Sequence, residues 1–438
     1  MAIGGCPDQG HIQFSPERSC VPPGTAALEG AVVSGNPKAG AGDTPGPVLP
    51  GCELPWDRIS TYVRQHLDGV DGPMEVYQFT AGVANLTYLL RFQDVEFVLR
   101  RPPFGRIPPG AHDMRREYKV LSVLWRHFPP APQARLFCDD PEVAGADFLV
   151  VERRTGDVIR EHIPESMRHY PDVMRRISFA VVESMAQLHQ LDADEVGLGD
   201  LGRPDGFVER QVSGWWKRWD MAVTEDAPVA AMSAVHAELA RRLPTPPRTS
   251  ILHNDLRVDN CQFKPEDPDR VAAMFDWDMA TLGDPLVDLA TLLSYWPDPG
   301  DPPERRRGLA GFARLGPPTR AEVTQRYAER ARIDLAWIAW YEAFALWKMA
   351  VVYQQLYRRF KSGNSQDARA VGMAKRIPAL AEEARELLDR SRTGALHVQA
   401  IFTAAPEQRE LSAPCQTLLP AWGAMMRRSW IRCCASAG

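Results

Sequence analysis

Apolar and polar residues change rhythm twice along the chain. Residues 1–50 show no sustained period of 2 or 3.6, and about a third of them are Gly or Pro. Such a segment buries too little apolar surface to offset the entropy of ordering, so disorder is expected there. Trp56, Ile59, Tyr62 and Val63 fall on one face of a short helix. Three strand-like runs follow at 74–79, 86–92 and 96–100, then a helix over 112–125 and strands at 134–137 and 147–152. After Gly156 the rhythm turns helical. Val173, Ile177, Val181, Met185 and Leu188 mark one helix, and others fit 206–222, 229–242, 285–295, 319–331, 334–360 and 366–390. Short strands interrupt this region at 250–253, 261–263 and 271–275.

The pattern predicts an α+β chain of two lobes. Residues 51–152 form a small antiparallel β lobe, and 153–391 a larger, mainly helical lobe. Residues 392–438 lack periodicity and read as an irregular tail. The cleft between the lobes is the expected binding site.

Composition narrows the classes. Of 438 residues, 45% are hydrophobic and 24% charged, ordinary values for a globular protein. The formal charge of −5 lacks the basic excess of a general nucleic-acid binder. No apolar run reaches the ~18 residues of a membrane helix, and no secretory signal is evident. Eight scattered cysteines show no C-x-x-C pair, so reduced thiols and a cytoplasmic location are expected.

The chemistry concentrates in His253-Asn254-Asp255-Leu256-Arg257-Val258-Asp259-Asn260, followed by Asp276-Trp277-Asp278, Gly283-Asp284-Pro285 and Asp288. If the strands flanking these residues pair, the side-chain oxygens of Asp255, Asn260 and Asp276 converge. Hard oxygen ligands at that density suit Mg²⁺ bridging nucleotide phosphates. A neighbouring carboxylate can then take the proton of a substrate hydroxyl. Asp284-Pro285 also carries a helix-capping signature, so Asp284 reads equally as a cap. Two other motifs read as structural. Gly197-Leu198-Gly199-Asp200-Leu201-Gly202 matches a dinucleotide fingerprint by letters but follows a helix, so a loop is expected. Arg305-Arg306-Arg307 reads as a solvated face.

His253-x-Asp255-x-x-x-x-Asn260 with Asp276 downstream closely resembles the catalytic segment of aminoglycoside-phosphotransferase-like kinases, over roughly residues 55–390. The resemblance implies the protein-kinase-like fold, with ATP and Mg²⁺ as cofactors. It makes Asp255 the catalytic base, Asn260 and Asp276 the metal ligands, Asp288 a brace for the loop, and Asp278 an auxiliary. In the small lobe it implies a phosphate-covering turn at Ala81–Asn85, with Gly82 and Asn85 facing the nucleotide. Arg100 stands where the family usually has Lys, and Glu117 is its helix partner. Glu152 and Arg153 fall at the interlobe hinge, whose backbone meets adenine. Neighbouring Arg101 competes with Arg100 for the lysine position, and a surface ion pair between Arg100 and Glu117 is the structural alternative.

Val98-Leu99-Arg100-Arg101-Pro102-Pro103, Val151–Gly156 and Asp276–Pro285 also resemble the branch of this family fused to acyl-CoA dehydrogenase in some proteins. That kinship implies a hydroxyacyl or related lipid-metabolic alcohol as acceptor. The stretch 334–361 is aromatic and basic, with Lys348, Arg358, Arg359 and Lys361, which disfavours a polycationic acceptor. Most aromatics there, like Trp215 and Trp219, read as core. The partner expected is therefore a small hydroxyl-bearing molecule, not nucleic acid or membrane. An inactive kinase-like binding module, an aminoglycoside kinase and a metal-dependent phosphohydrolase are the competing readings.

Overall fold

The computed structural model describes residues 44–80, 85–105, 112–363, 365 and 367–392. Helices of eight or more residues are numbered. Helix α1, Trp56–His66, buries Ile59 and Val63 and ends on Arg64 and His66, which complement the helix dipole. Strands β1 (Glu75–Phe79), β2 (Leu86–Arg91), β3 (Glu96–Arg101), β4 (Ala134–Cys138) and β5 (Phe148–Glu152) form one sheet in the order β1-β2-β3-β5-β4. Every pairing in it is antiparallel. Tyr88, Leu90, Leu99 and Val150 pack with Ile59 and Val63 to make a core on the α1 side.

Helix α2 runs Met114–Leu121 and is capped by the Asp113 carboxylate, which accepts from the Arg116 N–H at 2.9 Å. The helix expected over 112–125 is thus broken. Leu124–Arg126 form a separate 3₁₀ turn, and the Trp125 indole N–H donates to the Ser122 carbonyl at 3.2 Å.

The second lobe carries the two-residue strand β6 (Asp157–Val158), helices α3 (Val173–Leu188), α4 (Phe207–Ala222) and α5 (Val229–Arg241), and then the loop-rich segment. There β7 (Ser250–Leu252), β8 (Cys261–Phe263), β9 (Val271–Met274) and β10 (Thr281–Gly283) are short. Strand β8 lies between β6 and β9, while β7 pairs with β10. Helices α6 (Pro285–Ser294), α7 (Arg320–Ala331), α8 (Ile338–Lys361) and α9 (Ile377–Arg392) complete the lobe. Helix α8 packs against α4, α5, α6 and α9. One continuous core joins Met114, Leu121 and Leu149 of the small lobe to Trp277, Trp340 and Trp347 of the large one. Among the described residues no helix is long and apolar enough to cross a membrane.

Three details depart from the sequence expectation. The helix expected over 366–390 is two, Arg369–Ala374 and α9, because Pro378 has no N–H to continue the ladder and sits instead in the first turn of a new helix. Strand β10 has no counterpart among the expected strands; it forms by pairing with β7, Thr281 opposite Leu252, a contact that no local pattern expresses. Arg305 is not on a solvated face but 6% exposed, beside Asp301 at 3.6 Å and hydrogen-bonded to Glu383 of α9. The 197–202 segment is a loop, as expected. A Cβ on Gly202 would meet the Thr281 hydroxyl at 2.4 Å, so Gly202 lets the loop lie against β10.

Gly283 ends β10 against the ring of Phe207, where a Cβ would approach to 2.7 Å. Gly283→Ala is expected to destabilise the protein by about 1–3 kcal/mol through overpacking. A lowered urea midpoint checks this; a midpoint equal to wild type contradicts it.

Candidate active site

The loop after β7 is held by one buried carboxylate. Asp288, fully buried on α6, accepts from the backbone N–H of His253 at 2.7 Å and of Asn254 at 2.6 Å. The His189 ring lies 3.2 Å from the same carboxylate and 2.7 Å from the Tyr327 hydroxyl. Burial opposes the ionisation of Asp288, but His189 and the backbone donors outweigh it and hold its pKa below the usual range. With both N–H groups anchored, Asn254 adopts a left-handed φ of 67° and the chain turns sharply into Asp255.

Short bonds then tie this loop to the next strand pair. The Asn260 side-chain amide donates to the Asp255 carbonyl at 2.9 Å. The Phe275 N–H donates to the Asn260 carbonyl at 2.9 Å, and the His253 ring Nε2 lies 2.8 Å from the Phe275 carbonyl. Strands β8 and β9 pair Cys261 with Met274. Asp276 follows in a left-handed conformation, φ 72°, so its side chain leaves the strand direction. These bonds draw the positions of Asp255, Asn260 and Asp276 together, and the charge of Asp276 is felt at Asp255, although the sequence separates them by up to 21 residues.

The small lobe contributes a cation from above. Arg100 on β3 donates to the Asp276 carboxylate at 2.6 Å, and its Nε lies 3.3 Å from the Glu117 carboxylate on α2. Strand alternation settles which arginine enters the site. Arg101 points the other way and donates to the carbonyls of Pro102 and Ala144 at 3.1 and 3.0 Å. The Arg100–Glu117 pair is not at the surface, since their side chains are 10% and 1% exposed. Helix α2 packs on the Trp277–Met279 turn, and the Arg116 side chain donates to the Ala280 carbonyl at 3.0 Å.

Negative charge is in surplus here. Burial pushes the Glu117 carboxyl up to about 8, with Arg100 pulling the other way. Burial and then Asp276 push Asp278 up to about 7. Burial also raises Asp255, against the pull of Arg257. Asp276 alone is lowered, because Arg100 outweighs its burial. Carboxylates that raise one another suit a bound cation. The donor set fits Mg²⁺ held with phosphate oxygens. Asn260 uses its NH₂ on the Asp255 carbonyl, which leaves its amide oxygen as a ligand, and Asp276 has a second oxygen beyond the one on Arg100. Among the described residues no group of three His, Cys, Asp or Glu is arranged to hold a metal ion.

The remaining expected positions differ in placement. Gly82 lies outside the described residues. Asn85 is buried, and its side-chain amide acts on the Asp278 carboxyl, partly offsetting the rise that burial gives it. Glu152 turns to structure: its carboxylate accepts from the Gln133 N–H at 2.8 Å and from Arg154 at 2.7 Å, and its own N–H donates to the Gln133 carbonyl. Arg153 covers the Phe79 ring at 5.0 Å. Neither side chain touches the Arg100–Asp276 centre. Asp284 is a cap, accepting from the Leu286 N–H at 3.0 Å and from the Tyr341 hydroxyl. Sequence reasoning passes over Arg257, whose charge is felt at Asp255, and Tyr295, which the Asp255 charge raises. Arg257 sits inside the motif, and that is its one available signal. Lys348, 9% exposed, also faces Asp255 electrostatically.

The family model described as "Phosphotransferase enzyme family" matches residues 75–349. Acyl-CoA dehydrogenase family member 11 of Pongo abelii is 31% identical over 353 residues, covering 78% of this chain and 44% of that protein. Acyl-CoA dehydrogenase family member 10 of Mus musculus is 31% identical over 340 residues, covering 77% of this chain and 31% of that protein. The chain thus spans less than half the length of these curated relatives. Among solved structures, a putative aminoglycoside phosphotransferase from Ralstonia eutropha superposes with a TM-score of 0.65 at 29% identity, covering 77% of this chain and 99% of that one. The likeness makes the two-lobed plan a protein-kinase-like fold.

Asp288→Ala leaves two buried N–H groups and His189 unpartnered and is expected to destabilise the protein by about 3–5 kcal/mol. Because the folded pKa of Asp288 lies below its unfolded value, its contribution is complete above the ordinary carboxylate range. It is lost as pH falls through the depressed value. Denaturant unfolding of wild type and Asp288→Asn across acid pH checks this. The variant should lose less stability on acidification, and equal slopes would refute the assignment.

Proposed function

The chain belongs to the phosphotransferase enzyme family, and on that premise we propose that it transfers the γ-phosphoryl group of ATP to the hydroxyl of a small molecule. The observation that carries this reading is the convergence of Asp255, Asn260 and Asp276 beneath the Arg100–Glu117 pair. Asp255 accepts the acceptor's hydroxyl proton. The freed oxygen forms its bond to the γ-phosphorus as the bond from that phosphorus to the β,γ-bridging oxygen breaks, and ADP leaves with that electron pair. The burial that raises Asp255 makes its carboxylate a better proton acceptor than a solvated one. Asn260 and Asp276 would hold Mg²⁺, which when bound neutralises charge on the phosphates. Asn85 and Gly82 are the residues this reading assigns to the phosphates. Arg100 takes the position of the family's lysine, its planar fork held by Glu117. The hinge backbone at Glu152 and Arg153 lies beside adenine.

The acceptor side favours a neutral or anionic alcohol. Arg257 and Lys348 stand near Asp255, where a polycation would meet repulsion. The kinship with acyl-CoA dehydrogenase family members is consistent with a hydroxyacyl compound. An aminoglycoside acceptor rests on the likeness to the Ralstonia protein and requires these cations to be tolerated. A catalytically inactive module has no use for all three oxygen donors of the motif.

ATP with Mg²⁺ should raise the melting temperature more than ATP alone, and Asp276→Ala should abolish the difference. Asp255→Asn should keep the Mg²⁺-dependent shift but reduce phosphoryl transfer by about 10²–10⁴-fold in a radiolabelled-ATP screen over pooled metabolites. Full turnover by Asp255→Asn, or a Mg²⁺-independent shift in wild type, contradicts the reading.

A further inference from the structure

A cavity of ≈ 560 Å³ opens beside the candidate active site, between the Arg257–Asp259 turn, the end of α6 and the outer half of α8. Phe312, Met349 and Leu356 give it apolar walls. Arg257, Val258 and Asp259, which follow Asp255 in its loop, line one end together with Tyr295, whose ring the Arg257 guanidinium covers at 5.0 Å. Arg376 and Tyr353 line the cavity as well. The volume is that of a site for a drug-sized molecule.

Its charges are unequally satisfied. Of the two lining carboxylates, Asp259 is 3.2 Å from Arg257 and Glu161 is 3.7 Å from Arg314. Arg376 has no carboxylate within ion-pair distance among the described residues. Its Nη1 donates to the Tyr353 hydroxyl at 3.1 Å, and its buried Nε has no hydrogen-bond partner. It occupies the break that Pro378 imposes between two helices, so the chain delivers this side chain to the cavity from a junction and not from a regular helix face. The guanidinium also lies over the Tyr353 ring at 5.2 Å, and such a stacked group without a carboxylate partner recognises a planar anion by hydrogen bonds from its free N–H groups.

Resting on the phosphotransferase reading, we propose that this cavity holds the phosphate acceptor and that Arg376 selects an acceptor with an apolar body and an anionic group. The hydroxyl then lies toward Asp255 and the anion toward Arg376. Arg376 is a specificity-determining residue and takes no part in the transfer itself.

Isothermal titration calorimetry without nucleotide tests this, with a medium-chain hydroxy fatty acid, its methyl ester and the matching amino alcohol as probes. The acid should bind about tenfold more tightly than the ester, and the amino alcohol no better than the ester. Arg376→Gln should remove the preference for the acid and Arg376→Lys should restore much of it. The ester should bind all three proteins alike, which shows that the cavity is intact. Acid preference surviving in Arg376→Gln, tighter binding of the amino alcohol, or binding of none of the three would overturn the proposal. The Mg²⁺-dependent ATP shift in the same samples separates the two ideas. A shift without acid binding ends this inference alone; Arg376-dependent acid binding without a shift keeps the anion site at Arg376 but overturns its assignment to a phosphate acceptor, together with the phosphotransferase reading.

Discussion

A single guanidinium shared by a buried carboxylate and a half-buried one sets the geometry on which the site depends. Arg100 reaches Glu117 and Asp276 at once, joining β3, α2 and the turn after β9 across 176 residues of sequence. Removing one member of such a set leaves charge buried and unpaired, which is far more damaging than losing an exposed ion pair. The arrangement also leaves the site incomplete. Asp255, Asp276, Asp278 and Glu117 share too little positive charge, and burial raises three of them. A divalent cation and a polyphosphate are the ligands that such a deficit accepts.

The large lobe makes that concentration of charge tolerable by fixing the backbone first. Asp288 holds two consecutive N–H groups, and His253 and Asn260 bind the neighbouring loop through its carbonyl and amide at Phe275. Trp277 and Phe263 pack underneath in the continuous core. Loops held this way do not relax to separate their carboxylates. Electrostatic strain and preorganisation thus have the same cause: backbone bonds formed on folding hold oxygen donors where a ligand will need them.

Much of this was legible in the chain, for identifiable reasons. Long helices with a clear period and strands bounded by turns are readable, and the 253–276 spacing draws attention to the loops that Asp288, Asn260 and His253 tie together. Arg100 and Arg101 could not be told apart by spacing to a motif; the strand's two-residue alternation separates them once its register with β2 and β5 is known. Arg305 looked solvated because its partner Glu383 lies 78 residues away, and no local pattern carries that information. The importance of Arg376 was hidden in the same way. Its role comes from the helix break at Pro378 and from the residues facing it, neither of which a helical period over 366–390 expresses. Glu152 and Arg153 fell at the end of β5, but their side chains found structural partners in Arg154, Gln133 and Phe79.

The most direct measurement is anomalous diffraction from crystals grown with Mn²⁺ in place of Mg²⁺ and a non-hydrolysable ATP analogue. The account predicts an anomalous peak within coordination distance of the Asn260 side-chain oxygen and the Asp276 carboxylate, with the terminal phosphate between that peak and Asp255. A nucleotide bound with its metal on other residues, or an Asp276 carboxylate that contacts only Arg100 in the loaded protein, would contradict it.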